Sequence, residues 1–331
     1  MDTNLKEFLA NGLHLGELQS HKELAVTPLF AAKTGGPDYI TLKEALASGR
    51  LTISEVSQGG SVPELKLIND CDRNVLLLDG EELAGAKQNR VLNTTILVAA
   101  GRSALIPVSC TEQGRWSYKS ANFEDSNVSM SPSLRSRKNA SVSSSLSAKR
   151  GFRSDQSEVW NSIEELHTSQ RTSSGTGAMK DAYEARCDDL SSYLEAFPCQ
   201  EEQCGMAVLI KGRVAGIEMV SRPEAYLQLH GKLLNSYAMD IPRSRPGQSP
   251  ADIAKVRKIL ERMMETEEQR FPSVGRGEDC RYTARGLLGS ALLVEECFVH
   301  LAFFRSSEQE RAPGSEDRMA PLSRRRASRV F

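Results

Sequence analysis

The sequence lacks long apolar runs and every common export signal. No stretch of its 331 residues approaches the roughly 18 uninterrupted apolar residues that a membrane-spanning helix needs. The most apolar stretch, 291–304, is interrupted by Glu295, Glu296 and His300. The N-terminal residues MDTNLKEF show neither the basic nor the apolar region of a signal peptide. These absences predict a cytoplasmic protein that has no membrane partner.

The short motifs of the best-known enzyme classes are also absent. The chain contains no G-x-G-x-x-G, G-x-x-x-x-G-K-[ST], H-E-x-x-H or G-x-S-x-G. Rossmann oxidoreductases, P-loop enzymes, zincins and typical α/β-hydrolases are therefore disfavoured. The seven cysteines form no C-x-x-C pair and the five histidines have no ligand spacing. We therefore expect reduced cysteines, no metal and no cofactor.

The residues that are present have an ordinary globular composition, with 39% hydrophobic and 26% charged residues. Several short strand patterns separated by tight turns come first, and a region that mixes helices and strands follows. The regular strand–helix alternation of a parallel sheet is not seen. The pattern predicts the α+β class, with a mainly antiparallel sheet and flanking helices in a single domain over residues 1–305.

Some local patterns give more definite expectations. Apolar runs separated by turn residues predict hairpins over 65–78 and over 206–220. Ser221 and Glu224 match a capping box at the start of a helix. Apolar residues at helical spacing predict a further helix over 253–269.

Two basic segments stand apart from an acidic remainder, although the formal net charge is only −1. Residues 126–157 contain 12 serines and six basic residues against one acidic residue, with few large apolar side chains. This composition predicts a long mobile Ser/Arg-rich insertion, which could cover a site as a lid. Residues 306–331 predict a disordered basic tail. Aromatic residues are not interleaved with these cations, so nucleic acid is not an expected partner.

One dense polar cluster stands out. The apolar strand 75–78 runs into the segment DGEELAGAKQNR, residues 79–90, and a later strand ends in IPVSCTEQGRW, residues 106–116. Functional loops on rigid strands have this character, and two hairpins of an antiparallel sheet can end at the same rim. Carboxylates there suit general acid or base catalysis, and the cations suit anion binding.

The candidate residues follow from this cluster and from one arginine before the closing strands. The catalytic candidates are Glu81, Glu82 and Glu112, and the ligand-binding candidates are Lys87, Gln88, Asn89, Arg90, Arg115, Trp116 and Arg281. The alternative is a solvated turn whose charges pair locally. In that interpretation Trp116 caps the core, and Arg281 pairs with Asp279 or Glu278.

The run LLLDGEELAGAKQNRVLNTTILVAAGRSALIPVSCTEQGRW, with LHGKLLNSYAMD and LLGSALLVEECFVHLAFF further on, resembles the ARG and rhodanese-phosphatase-superfamily-associated protein domain family. The resemblance covers about residues 10–305, and its specific part is the pair GEELAGAKQNR and IPVSCTEQGRW. The family is named for its association with ADP-ribosylglycohydrolases and rhodanese-phosphatase proteins. The resemblance implies a bacterial-type cytoplasmic α+β domain linked to NAD or ADP-ribose metabolism, without supplying a mechanism.

These observations predict recognition of a phosphorylated, nucleotide-like small molecule at the rim. In an enzymatic version the ligand is hydrolysed, with Glu81 or Glu82 as general base on water and Arg90 and Arg115 neutralising phosphate. The alternative is a non-catalytic sensor or adaptor domain that binds a ligand or a partner protein. A structural domain whose polar strand ends pair only with each other is a third interpretation.

Overall fold

A computed structural model describes residues 5–32, 35–57, 63–243 and 250–306. The helices within these ranges are α1 (Leu5–Asn11), α2 (Leu42–Ala47), α3 (Pro132–Ser147), α4 (Gln156–Gln170), α5 (Met179–Glu184), α6 (Cys187–Ala196), α7 (Pro223–Ala238) and α8 (Ile253–Met263). The strands are β1 (Leu13–Leu15), β2 (Gln19–His21), β3 (Leu24–Ala31), β4 (Tyr39–Thr41), β5 (Leu51–Glu55), β6 (Glu64–Asn69), β7 (Asn74–Leu77), β8 (Glu81–Gly85), β9 (Arg90–Leu92), β10 (Ile96–Val98), β11 (Ser103–Cys110), β12 (Phe123–Ser129), β13 (Gln203–Ile210), β14 (Arg213–Val220), β15 (Glu267–Pro272), β16 (Glu278–Ala284), β17 (Leu287–Val294) and β18 (Cys297–Arg305).

A nine-stranded antiparallel sheet forms the centre of the fold. Its strand order is β1-β3-β13-β14-β18-β17-β16-β15, and β2 pairs with the first three residues of β3. All eight residues of β17 are buried, as expected for a strand that is covered on both faces. Helices α3 and α7 contact strands of this sheet, and α8 packs against β14. The mainly antiparallel sheets with flanking helices confirm the predicted α+β class.

Two smaller sheets carry the polar cluster. One has the order β10-β7-β4, with β4 parallel to β7, and the other has the order β12-β8-β9-β11-β6-β5. Ile53, Leu65, Leu83, Leu92 and Val108 belong to the apolar core of these sheets. The polar loops therefore stand on strands that are anchored by a core.

The predicted hairpin over 65–78 is wrong, because β6 and β7 belong to different sheets. β6 pairs with β5 and β11, whereas β7 pairs with β10 and β4. The Asn69 side-chain amide donates to the carbonyl oxygens of Val98 and Ala99, at 3.3 and 2.9 Å, and so holds the chain where it crosses between the sheets. Turn residues show that the chain reverses, but they carry no information about which strands will pair.

The later local expectations have mixed outcomes. The hairpin over 206–220 is confirmed by the antiparallel pair β13 and β14. The helix predicted over 253–269 ends at Met263, because Glu267–Pro272 pairs with β16 as an edge strand. The capping box is wrong: Arg222 is the N-cap residue of α7 and makes no side-chain cap. The Ser221 hydroxyl instead forms a 2.9 Å hydrogen bond with the Tyr39 hydroxyl.

The mobile loop predicted over 126–157 is wrong, because most of this segment is regular structure. It contains the end of β12, all of α3 and the start of α4. Leu134 and Val142 of α3 are buried, and so are its charged residues Arg135 and Lys138. From composition alone, these two cations are expected at the surface. In the structure, carboxylates of the sheets pair with them in the interior. A helix packed in this way cannot serve as the mobile lid that the composition suggested.

Two further expectations concern the chain end and the membrane. Of the basic tail predicted over 306–331, all but Ser306 lies outside the described residues. Among the helices in the described ranges, none combines the length and the apolar character needed to cross a bilayer.

Candidate functional site

Arg90 is the most unusual residue of the polar cluster. It begins β9 opposite Cys110 of β11, and its side chain is fully buried. One terminal nitrogen, Nη1, donates to Gln88 Oε1 at 2.8 Å and contacts the Cys110 thiol. Among the described residues, the other two nitrogens, Nε and Nη2, have no hydrogen-bond acceptor. A buried donor without an acceptor costs about 1–3 kcal/mol, and more when it is charged. These two donors therefore lower the stability of the protein when no ligand is bound.

Glu55 faces Arg90 and was not a sequence candidate. Its side chain is only 4% exposed, and its Oε1 lies 3.7 Å from Arg90 Nη2, which is too long for a hydrogen bond. Neither of its carboxylate oxygens has a donor within the described part of the chain. The sequence does carry a signal for Glu55, because Leu51, Ile53 and Glu55 alternate on one strand and so share the buried face.

Two half-exposed aromatic side chains lie beside this pair, with Trp116 against Arg90 and Tyr118 against the neighbouring Lys87. Trp116 and Tyr118 are 50% and 53% exposed, so Trp116 does not cap the core. The Lys87 ammonium lies 5.3 Å from the Trp116 ring centroid and 5.1 Å from that of Tyr118. The Arg90 guanidinium lies 5.6 Å from the Trp116 ring centroid. All three distances are within the range of cation–π attraction. Glu55, Lys87, Arg90, Trp116 and Tyr118 are called the Arg90 cluster below.

Asn89, Glu112 and Arg115 lie beside the Arg90 cluster and pair with one another. Arg115 Nε donates to Glu112 Oε2 at 2.8 Å, and its Nη2 donates to Asn89 Oδ1 at 3.1 Å. Its Nη1 donates to the carbonyl oxygen of Ala86 at 2.7 Å. Burial acts to raise the pKa of Glu112, but the hydrogen bonds from Arg115 and Thr176 hold that pKa below its ordinary value. These contacts attach the segment that carries Trp116 to the turn between β8 and β9.

Glu81 and Glu82 have separate partners, because neighbouring residues of a strand point to opposite faces. Glu81 Oε1 accepts from Lys232 Nζ at 2.7 Å, and Lys232 also donates to Asp125 at 2.7 Å. Glu82 Oε1 accepts from the Thr111 hydroxyl at 2.6 Å. Across β8 and β9, Glu82 pairs with Val91, so it points away from the face of Arg90. The structure thus brings neither carboxylate to the Arg90 cluster.

The burial of Glu82 leads to a prediction about pH. Burial raises the pKa of Glu82 to about 7, while the hydrogen bond from Thr111 acts to lower it. The folded state therefore retains a proton that the unfolded chain releases near pH 4.5. This contribution to stability is present below that pH and is lost as the pH rises towards 7. Between about pH 4.5 and 7, Glu82→Gln should gain about 2–3 kcal/mol of unfolding free energy relative to the wild type.

Urea denaturation at several pH values measures this difference. Glu124→Gln is the matched control, because Glu124 lies exposed on the neighbouring strand β12. Its stability should follow the wild type at every pH. Parallel pH profiles for Glu82→Gln and the wild type would contradict the prediction.

Arg281 belongs to a different region. Its Nη2 donates to Asp279 Oδ2 and to the Thr94 hydroxyl, both at 2.9 Å, and its side chain is 3% exposed. The local ion pair with Asp279 is therefore the alternative that the structure supports. Arg281 is not part of the Arg90 cluster.

A buried charge network, which the sequence candidates did not include, attaches α3 to the sheets. Arg135 donates two hydrogen bonds to Glu218, at 2.8 and 2.6 Å, and its Nε lies 3.6 Å from Asp79 Oδ2. Lys138 pairs with Asp79, and His300 Nε2 lies 3.1 Å from Glu218 Oε1. Glu218 stands alone as a charge within the apolar run of β14, which is the signal the sequence offered.

Metal ligation has no geometric support in the residues that the structure describes. No group of three or more His, Cys, Asp or Glu side chains is placed there to hold an ion. All seven cysteines are free thiols.

Comparison with known proteins gives one match. A family model described as the ARG and Rhodanese-Phosphatase-superfamily-associated Protein domain matches residues 12–304. Neither the curated proteins nor the solved structures include a match. The matched span contains the whole Arg90 cluster and the buried network of α3.

Proposed function

The chain belongs to the ARG and Rhodanese-Phosphatase-superfamily-associated Protein domain family, and on that premise we propose that it recognises a phosphorylated, nucleotide-like small molecule at the Arg90 cluster. The family description directs attention to ADP-ribose and related products of NAD metabolism. A free metabolite of this kind is consistent with the predicted cytoplasmic location. It is also consistent with the prediction that nucleic acid is not a partner.

The unpaired nitrogens of Arg90 are the observation that carries the proposal. Buried polar groups nearly always have a hydrogen-bond partner, so an exception calls for a physical explanation. Nε and Nη2 lie on one edge of the guanidinium, and two such N–H groups match two oxygens of a phosphate. A bound phosphate would satisfy both donors and offset the cost that they impose on the free protein.

The neighbours of Arg90 supply the other features of a nucleotide site. Trp116 and Tyr118 expose ring faces on which a base or a nicotinamide can stack. Lys87, above both rings, adds a second positive charge for a diphosphate. The Glu55 carboxylate, whose two oxygens have no donor in the described part of the chain, suits the hydroxyl groups of a ribose. Phosphate, sugar and base thus each have a complementary group.

Access to Arg90 requires movement of Trp116. The guanidinium is fully buried and the indole is half exposed, so a ligand reaches Arg90 by displacing this ring. The environment of Trp116 therefore changes on binding, and its fluorescence provides a direct signal.

Recognition without hydrolysis is the version that the geometry favours. Both oxygens of Glu81 accept hydrogen bonds, from Lys232 and from the Leu78 amide. Glu82 points away from Arg90, and Glu112 is engaged by Arg115. A general base must lie within hydrogen-bond reach of its water at the substrate. None of the three carboxylates meets this condition at the Arg90 cluster, which favours the sensor alternative.

Titration of the full chain with ADP-ribose, NAD, ADP, ribose 5-phosphate and inorganic phosphate tests the proposal. We expect saturable quenching or enhancement of tryptophan fluorescence, strongest for the ligands that carry a base and weakest for inorganic phosphate. Chromatography of the mixture should recover the ligand unchanged. The absence of saturable binding for all five compounds would refute the proposal.

Substitutions of the half-exposed Trp116 and of the neighbouring buried Lys87 should weaken this binding while the chain still folds. Trp116→Leu and Lys87→Gln should each raise the dissociation constant for ADP-ribose about tenfold or more, since base stacking is worth about 1–3 kcal/mol. Isothermal titration calorimetry measures the change. Leu227→Ala and Lys149→Gln alter exposed residues elsewhere and should bind like the wild type. Equal affinities for all four variants would place the ligand away from the Arg90 cluster.

A further inference from the structure

A second region of the molecule has the form of a ligand site, at the ends of β14 and β18 away from the Arg90 cluster. A cavity of about 600 Å³ lies between these strand ends and the helices α3 and α4. A neighbouring cavity of about 250 Å³ lies between the same strands and α8. The two cavities share Val214 and Arg305 but lie on opposite faces of the sheet, because α3 and α4 pack against one face and α8 packs against the other. The larger cavity is called the groove below.

The groove has more cations than carboxylates. Its charged lining is Arg137, Arg213 and Arg305, against the two carboxylates Glu165 and Asp240. Both carboxylates are engaged: Glu165 accepts from Arg137 at 2.6 Å, and Asp240 accepts from the Ser133 hydroxyl at 2.7 Å. Both carboxylates therefore have partners other than Arg213 and Arg305.

Two of the cations have no side-chain partner within the described ranges. Arg213 and Arg305 make no side-chain hydrogen bond or ion pair there, although each lines the groove. Arg137, by contrast, pairs with Glu165. The two unpartnered cations come from β14 and β18, so separate strands bring them to one groove.

The uncharged lining is mostly aliphatic. Leu166, Ile210, Val214, Ala215 and Met239 line the groove. The described lining residues include no tryptophan or tyrosine, so the groove lacks the stacking surface that a nucleobase requires. The larger cavity is within the usual size range of small-molecule sites, about 300–1,000 Å³.

We propose that this groove binds a small organic anion with an aliphatic body, of the class of medium-chain carboxylates. The carboxylate head pairs with Arg305 at the end of β18, because a guanidinium can donate two parallel hydrogen bonds to it. Arg213 in the same groove adds a second charge. The alkyl chain lies on Val214 and its aliphatic neighbours, where it is removed from water.

Calorimetric titration of the full chain with decanoate, decanol and acetate, below micelle-forming concentrations, tests the inference. We expect saturable binding of decanoate, with decanol and acetate at least about tenfold weaker, because each lacks one of the two recognised features. Equal binding of decanol would indicate a purely apolar surface and overturn the proposal. Equal binding of acetate would indicate unspecific attraction of anions and overturn it as well.

Variants locate the decanoate. Arg305→Gln should weaken binding about tenfold or more, since it removes a charge-assisted hydrogen bond. Arg257→Gln, an exposed substitution on α8 outside the groove, should not change it. Equal affinities for these two variants would overturn the proposed head-group contact. Saturating ADP-ribose should leave decanoate affinity unchanged, so this result is separate from the fate of the Arg90 proposal.

Discussion

Replacing Arg135 with methionine should lower the free energy of unfolding by about 3–5 kcal/mol, the cost of breaking a buried ion pair from one side. The substitution leaves Glu218 and Asp79 in the interior without the guanidinium that lies between them. Burial acts to raise the pKa of Glu218, but the charge of Arg135 holds that pKa below its ordinary value, so the carboxylate is ionised in the folded state. Urea denaturation at neutral pH measures the loss.

The same helix provides a matched control. Arg137 lies two residues further along α3 and pairs with the exposed carboxylate of Glu165. Surface pairs of this kind contribute about 0–1 kcal/mol, so Arg137→Met should change stability by no more than that. The double variant Arg135→Met/Glu218→Gln should recover roughly 2 kcal/mol of the loss, because it also removes a stranded charge. A loss at Arg135 as small as at Arg137 would show that the network does not hold α3 in place.

Replacing Arg90 with glutamine should weaken the binding of ADP-ribose at least about 100-fold. The unpaired Nε and Nη2 would each form a charge-assisted hydrogen bond to a phosphate oxygen, worth about 1.5–3 kcal/mol. Two such bonds correspond to a factor of about 100 or more in the dissociation constant. Arg90→Lys keeps the charge but loses the two-pronged geometry, so its affinity should be intermediate. Calorimetry on the folded variants gives both values.

Stability measurements separate a binding role of Arg90 from a structural one. The double variant Arg90→Gln/Glu55→Gln removes both buried charges, each of which has two polar atoms without a hydrogen-bond partner among the described residues. It should therefore fold at least as stably as the wild type while failing to bind. Arg50→Gln breaks an exposed pair with Asp72 and should alter neither property. Wild-type affinity in Arg90→Gln, or collapse of the double variant, would refute the assigned role.

The comparison of sequence and structure shows which signals can be read locally. The hairpin over 206–220 was predictable, because its strands are neighbours in sequence and a short turn joins them. The pairing of β6 was not predictable. This strand pairs with β5 and with β11, which is distant in sequence, whereas the adjacent strand β7 joins another sheet. Turn patterns describe chain reversal, whereas strand pairing depends on non-local contacts.

Helix α3 shows a second limit of composition. Serines and basic residues gave this segment a low mean hydropathy, and the segment therefore resembled a mobile loop. Its stability comes from Arg135 and Lys138, whose partners Glu218 and Asp79 are distant in sequence. A buried ion pair appears in a sequence only as two isolated charges. Glu218, a lone carboxylate in an apolar strand, was the member of the ion pair that the sequence pattern could have indicated.

The sequence alone determined the α+β class, the two polar segments 79–90 and 106–116, and the likeness to the family that the family model supports. The tertiary structure decided which polar residues share a site. It separated Glu81 and Glu82, paired Glu112 with Arg115, and placed Glu55 opposite Arg90. The physical reason is that residue type and spacing define the chemistry available to a segment. Strand alternation and pairing between distant strands decide which of those groups face one another.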